Sequence, residues 1–185
     1  VRDFGPIEQV IHAAGIVQDR LLINSDPEQA AQVFAAKVQG TQHLDDALSQ
    51  QPLRYFWLTS SVAACYGNVG QSDYAAANAF MDAFAHERNR RVAEGQAKGA
   101  TLALQWPLWQ DGGMGVDQAG LKALKRNFGT LPLPSKVALQ ALDLLGGEVA
   151  TTALHYGDRE PLQAALDFFA AAPETLQAAK SATDK

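Results

Sequence analysis

The sequence predicts an α/β fold, a parallel sheet with flanking helices, and three observations carry that expectation. Short apolar runs alternate with helical patterns along the chain. The helical stretches between successive runs are long enough for the crossovers that parallel strands require. The helix starts and stops carry capping residues at the expected places. The 185 residues are 47% hydrophobic and 19% charged, which suits a soluble globular chain with a substantial core.

Gln9 to His12 (QVIH) is apolar, reads as a buried strand, and runs into Ala13-Ala14-Gly15. Ser25-Asp26-Pro27-Glu28 is a helix start, with a cap, an early proline and a glutamate three after the serine; its helix should reach about Ser49. Arg54 to Ser60 (RYFWLTS) is the second strand. After a loop over Gly67 to Gln71, a long helix should run from Ser72 to Glu94, where Gly95 offers a stop. Thr101 to Gln105 is a third strand, followed by WPLWQDGGMG. Pro134 to Leu145 is a helix after the LPLP turn, and Val149 to His155 a fourth strand. From Arg159 the Ala-rich tail should be helical and fray at SATDK. No GxGxxG follows a first strand, and the Gly112-Gly113-Met114-Gly115 cluster lies far downstream. The sheet is therefore expected to lack its N-terminal strand and Gly-rich loop.

Composition narrows the function classes. A net charge of −5 without a basic stripe disfavours nucleic-acid binding by phosphate neutralisation. One cysteine, Cys65, excludes an internal disulfide framework and a multi-cysteine zinc site; it fits a reducing, cytoplasmic setting. No apolar stretch approaches the roughly 18–20 residues of a membrane span. The start, VRDFGPIEQV, has neither a signal-peptide layout nor an initiator Met and reads as internal to something larger. His43, His86 and His155 are scattered, and HERNR at 86–90 lacks the second histidine of a zincin, so no metal site is expected. Cys65 reads as a small loop residue, Asp82 and Glu87 as a solvated helix face, and His12 as a member of its strand–loop motif.

Three features resist a packing explanation. Lys37 shares an inner helix face with Val33, Phe34, Val38, Thr41 and Leu44, where a lysine is costly without a partner or a role. Ser60-Ser61 closes an apolar strand, at the end where ligands bind in open α/β sheets. TSSVA lacks the glycines of a GxSxG nucleophile elbow. Tyr74 and Asn78 are four apart on one helix face, with alanines 75 to 77 between them. Each also has a plain reading: a lysine with its stem along the stripe edge, a serine capping a turn, a helix-packing tyrosine. Taken together they place an ammonium, a hydroxyl, a phenol and an amide near one rim of one sheet. A phenol of pKa about 10 donates a proton well only if that value is lowered, which a nearby ammonium does. A serine hydroxyl can hold a carbonyl oxygen as charge develops on it. The set suits carbonyl reduction with hydride from a nicotinamide.

VIHAAGIVQD, AAKVQGT, FWLTSSVAACYGNVGQSDYAAANAFMDAFA and LQWPLWQDGGMG, spread over about residues 9–155, resemble the ketoreductase domain of modular type I polyketide synthases. That is a branch of the short-chain dehydrogenase/reductase superfamily, with a Rossmann-like sheet. The spacings match as well: 24 residues from Lys37 to Ser61, 13 from Ser61 to Tyr74, four from Tyr74 to Asn78. The WPLWQDGGM wording is most similar to trans-acyltransferase bacterial synthases.

The resemblance implies that Tyr74 donates the proton, Ser61 holds the keto oxygen, Lys37 binds the nicotinamide ribose and lowers the Tyr74 pKa, and Asn78 completes a polar relay. Common reductases of the superfamily have the Lys four after the Tyr; here Lys and Asn are exchanged, as in polyketide ketoreductases. It implies that Ala14 and Gly15 pass along the cofactor, NADPH, and that Pro107 and Leu108 lie near its carboxamide. WQDGGMG and the residues to about Phe128, with Trp109 and Met114, would form a mobile lid over the substrate. Members giving the D-hydroxyl carry an LDD motif, here Val17-Gln18-Asp19 with the final Asp kept; the Trp of the L-hydroxyl type is here Tyr66. A D-hydroxyl product is expected. The implied partners are an acyl carrier protein bearing a phosphopantetheine-tethered β-ketoacyl chain, and neighbouring synthase domains. Residues 1–157 would be the C-terminal catalytic part of the domain and 158–185 a helical tail or linker. Two other readings stay open: a non-catalytic segment unable to hold NADPH alone, and a free-standing dehydrogenase, which the exchanged Lys and Asn disfavour.

Overall fold

The structure is a computed structural model, and it describes residues 3–112, 116–145, 149–168 and 170. Four strands, β1 (Gln9–His12), β2 (Tyr55–Ser61), β3 (Ala100–Trp106) and β4 (Thr151–Ala153), form one parallel sheet in the order β1-β2-β3-β4. Ile11 is registered with Trp57, Trp57 with Leu102, and Ala103 with Thr151. The QVIH run suggests a strand buried on both faces, yet Ile11 is 60% exposed because β1 ends the sheet on its side.

Chain segments rich in helix connect each strand to the next, as parallel pairing demands. Between β1 and β2 lie α1 (Pro27–Phe34), a π turn (Ala35–Gln39) and α2 (Gly40–Ala47). Asp26 caps α1 by accepting the Glu28 N–H at 3.0 Å, and Pro27 occupies the first turn, where its missing N–H is harmless. Between β2 and β3 lie α3 (Ala63–Tyr66) and α4 (Ser72–Ala93). Between β3 and β4 lie α5 (Gln118–Phe128) and α6 (Ser135–Leu144).

The chain forms two compact units, residues 1–106 with 141–154 and residues 107–140 with 155–185. In the first, the alternation of β2 turns Phe56 and Leu58 inward against Met81 and Ala85 of α4 and Ala103 of β3. A second cluster joins Val33, Ala63, Tyr74 and Ala77. Each large side chain so buried contributes about 1.5–3 kcal/mol. The alanines of α4 have a separate role: with no bulk beyond Cβ, they let the helix axis approach the sheet. Gly99 opens β3 at φ +81°, and an added Cβ would stand 2.7 Å from the Leu53 carbonyl oxygen. Gly99→Ala is expected to destabilise the chain by about 1–3 kcal/mol, read as a lower urea midpoint at unchanged slope.

The stretch through Phe128 that is expected to form a lid falls in the second unit. Residues Gln118–Phe128 are helical, with Asp117 accepting the Gly120 N–H at 2.7 Å and Gly129 closing the helix at φ +65°. Both are ordinary capping residues. Residues 159–168 are helical, as the Ala-rich tail predicts, whereas SATDK lies outside the described residues. No helix among the described residues is long and apolar enough to cross a membrane.

Candidate functional site

Lys37 sits in the π turn, where the wider i→i+5 winding leaves carbonyls unusually placed; such turns recur at functional sites. The Thr41 hydroxyl donates to the Lys37 carbonyl at 2.5 Å and helps hold the turn. The Lys37 side chain is 2% exposed. Its Nζ donates to the Thr59 carbonyl at 2.7 Å, and the Thr59 hydroxyl donates to the His12 carbonyl at 3.0 Å, so the ammonium docks on a braced strand. Met81 Sδ lies 3.7 Å from Nζ, and the Tyr74 ring centroid 5.6 Å away. Burial pulls Lys37 down to about 8, partly opposed by the Asp82 carboxylate.

β2 delivers Ser61 to the same end of the sheet, and α4 delivers Tyr74 and Asn78 one turn apart. Ser61 Oγ also accepts the Ala63 N–H at 3.2 Å, so the serine is a turn residue as well as a candidate ligand. Tyr74 is 7% exposed and Asn78 fully buried. Asn78 Nδ2 donates to the Tyr74 carbonyl at 2.7 Å, while its Oδ1 is buried without a partner among the described residues. Burial pushes the Tyr74 phenol above its ordinary value; side-chain hydrogen bonds with Ser61 and Asn78 pull it back, and the Asp19 carboxylate adds to the rise. The expected lowering by Lys37 is therefore corrected. The ammonium is itself weakened by burial and committed to a backbone carbonyl, and burial dominates at the phenol.

Ala14 and Gly15 follow β1, and an added Cβ at Gly15 would stand 2.9 Å from Lys37 Cε; the loop and the lysine stem share one surface. Gln71 Nε2 donates to both oxygens of Asp19 at 3.0 and 3.1 Å, and the Arg20 N–H donates to the Gly70 carbonyl at 2.8 Å. The segment after the AAG loop is thus tied to the residues just before Tyr74. Tyr66 ends α3, its phenol pushed up by burial and by Cys65. Pro107, Leu108 and Trp109 belong to the second unit, where the Leu133 N–H donates to the Leu108 carbonyl at 2.7 Å and Trp109 forms a bridge with Leu133. Met114 lies outside the described residues.

Two residues dismissed by the sequence reading stand next to this cluster. Asp82 is not on a solvated face. Its Oδ2 accepts from Gln105 Nε2 at 2.7 Å, and its Oδ1 is buried without a partner among the described residues. The signal was available: Tyr74, Asn78 and Asp82 are spaced four and four along α4. His12 is 4% exposed, its ring lies beside the helix of Lys37 at Gly40, its Nε2 is buried without a partner among the described residues, and burial holds its pKa below the ordinary value. Cys65 lies in α3, not a loop, and its thiol donates to Gln105 Oε1 at 2.9 Å. Chemically, the cluster offers a protonated phenol, a hydroxyl able to hold a neighbouring oxygen, and a buried cation.

A family model described as KR domain matches residues 1–111. Polyketide synthase ThaG of Burkholderia thailandensis is 40% identical over 180 residues, covering 97% of this chain and 3% of that protein. Polyketide synthase PksN of Bacillus subtilis is 44% identical over 139 residues, 75% of this chain and 2% of that protein. The chain therefore spans a few hundredths of the length of these relatives. Among solved structures, a ketoreductase domain from the bacillaene assembly line superposes with a TM-score of 0.86 at 35% identity, over 89% of this chain and 40% of that one. An N-terminal ketoreductase from the macrolactin assembly line gives 0.76 at 35% identity, over 89% of this chain and 31% of that one.

Proposed function

The chain belongs to the KR-domain family of polyketide synthases, and from that premise we propose that it reduces a β-ketoacyl thioester to the β-hydroxy form with NADPH. The observation that carries the proposal is the Tyr74 phenol, hydrogen-bonded by Ser61 and Asn78 with the Lys37 ammonium 5.6 Å from its ring. A nicotinamide nucleotide fits the residues present. Gly15 leaves room beside the lysine that a side chain would fill, and Nζ has one oxygen partner among the described residues, leaving donors for ribose hydroxyls. When bound, that group supplies the hydride.

The chain's own residues supply the rest. Ser61 Oγ holds the keto oxygen and stabilises the charge that develops on it. Tyr74 Oη gives that oxygen its proton; a phenol held above its ordinary value stays protonated through neutral pH, so the donor is always loaded. The hydrogen bonds from Ser61 and Asn78 that pull the phenol down also favour the phenolate left behind. Lys37 binds the ribose, and Ala14 and Gly15 line the cofactor. Asp19 and Tyr66, with Trp109 and Met114, bear on how the substrate is presented, and the retained Asp19 favours a D-hydroxyl. The substrate is carried by an acyl carrier protein on phosphopantetheine, among neighbouring synthase domains in the cytoplasm.

The test follows NADPH absorbance with a β-ketoacyl thioester in the full-length protein. Consumption of NADPH with a D-configured product supports the reading. No reduction would sink the activity, and an L-configured product would sink the stereochemical part alone.

A further inference from the structure

Thr59 holds two parts of the site through two different groups, and the reaction steps above leave its hydroxyl without a role. The β1–β2 register ends where His12 pairs with Leu58, while β2 continues through Ser61 alongside β3. Just past that last pair, the Thr59 hydroxyl reaches across and donates to the His12 carbonyl at 3.0 Å. The residues that follow His12 are Ala13-Ala14-Gly15. The Thr59 carbonyl meanwhile accepts from Lys37 Nζ at 2.7 Å. The circuit closes at Gly15, where an added Cβ would stand 2.9 Å from Lys37 Cε and 3.4 Å from Nζ. For sheet formation alone, valine would serve as well, since it has the same branched shape and a strong preference for strands.

We propose that Thr59 is a positioning residue for the nicotinamide nucleotide: its hydroxyl fixes the exit of β1, and so the Ala14-Gly15 loop, in register with the carbonyl on which the Lys37 ammonium docks. The inference rests on the cofactor roles given to Lys37, Ala14 and Gly15 above. Thr59 acts through the loop and the lysine rather than on the nucleotide itself. The geometry suits that task. A β-branched side chain is stiff at χ1, so the hydroxyl is held for its acceptor at little entropic cost. Ala13, Ala14 and Gly15 carry nothing beyond Cβ with which to anchor themselves, so the loop takes its direction from where His12 leaves the sheet. The lysine head, on a flexible stem, takes its seat from the Thr59 carbonyl. Both references therefore sit on one residue. A slip of β1 against β2 at this end would change the gap between Gly15 and the lysine stem, the room that a ribose would border.

The experiment compares Thr59→Val, which removes the hydroxyl and keeps the shape, with Thr59→Ser, which keeps the hydroxyl, in the full-length protein. NADPH affinity is read by fluorescence titration without substrate, and KM for NADPH and kcat are read with a β-ketoacyl thioester. Thr59→Val is expected to raise Kd and KM for NADPH about three- to tenfold, the weight of one neutral hydrogen bond. Its kcat at saturating NADPH should stay within about twofold, because Ser61 and Tyr74 are untouched. Thr59→Ser is expected to return Kd to within about twofold of the native value. A merely structural threonine would instead lower the melting temperature and the active fraction, with Kd and KM unmoved. An unmoved Kd in Thr59→Val, or a loss of affinity that serine does not restore, overturns the proposal. If the native protein binds NADPH but reduces no thioester, the reductase reading fails while the Kd comparison still decides this inference. If the native protein binds no NADPH, both fall.

Discussion

Tyr74→Phe is expected to lower kcat for carbonyl reduction by about 10²–10⁴-fold, the usual contribution of a positioned proton donor. The substitution removes one oxygen and keeps the ring, which packs with Val33, Ala63 and Ala77. The fold should survive, at a cost near 1 kcal/mol for the lost hydrogen bonds. KM should move less than kcat, because the phenol acts on charge that appears only as the reaction proceeds. Steady-state kinetics on the full-length protein, with a melting curve for each variant, separates these effects. A variant retaining kcat within threefold, with an intact melting curve, would remove Tyr74 from the chemistry. The pH dependence has a defined sign. Lys37 is held below its ordinary value, to about 8, so its charge is complete below that pH and is lost as pH rises through it. Activity that needs the ammonium should therefore decline on the alkaline side, while the raised phenol of Tyr74 stays protonated there.

The parts of this molecule legible in the sequence are those decided locally. β2 announces itself by its aromatic and β-branched run, α4 by its length and its stop before Gly95, and α1 by Asp26-Pro27. Lys37 stands out because its position on an apolar helix face follows from period alone. The π turn that carries it does not: the period is unbroken there, and the buried ring of His12, a strand residue remote in sequence, stands beside it only in the folded chain. Asp82 is hidden for another reason. An aspartate on a helix is usually solvated, and only its spacing from Tyr74 and Asn78 argues otherwise. The helix Gln118–Phe128 is masked by the glycines before it, although Asp117 and Gly129 mark both of its ends. The downward pull expected of Lys37 on Tyr74 fails on magnitude, because spacing reveals that two groups are near but not how much water each has lost.

Arg88→Met is expected to cost more stability than any other single change considered, about 3–5 kcal/mol, because it breaks a buried ion pair from one side. Arg88 is 2% exposed on α4. Its Nε donates to Asp45 at 2.6 Å, and its remaining donors meet the Gly99 and Lys98 carbonyls and the Thr101 hydroxyl at 2.8–2.9 Å. The guanidinium also lies 5.1 Å from the centre of the Phe56 ring, so its loss is felt in the core. One side chain thereby ties α2, α4 and the turn into β3 together, and methionine replaces the volume but none of the five donors. Arg91 still reaches Asp45 at 2.7 Å, which places the cost toward the lower end of that range. Burial alone would raise the Asp45 carboxyl; hydrogen bonds and charge from Arg88 and Arg91 overcome it and hold the carboxyl below its ordinary value. A depressed carboxylate stabilises the fold fully above its unfolded pKa of about 3.9, and the stabilisation drains as pH falls through the folded value. Urea unfolding from pH 7 to pH 3 should therefore show the native chain losing stability towards acid more steeply than Arg88→Met. The double variant Asp45→Asn, Arg88→Met should cost less than the sum of the two single changes, since each single change strands a charge that the double one removes. A cost below about 1 kcal/mol for Arg88→Met, or strict additivity in the double variant, would show that the pair is a bystander and that the apolar contacts of α4 with β2 hold the helix to the sheet unaided.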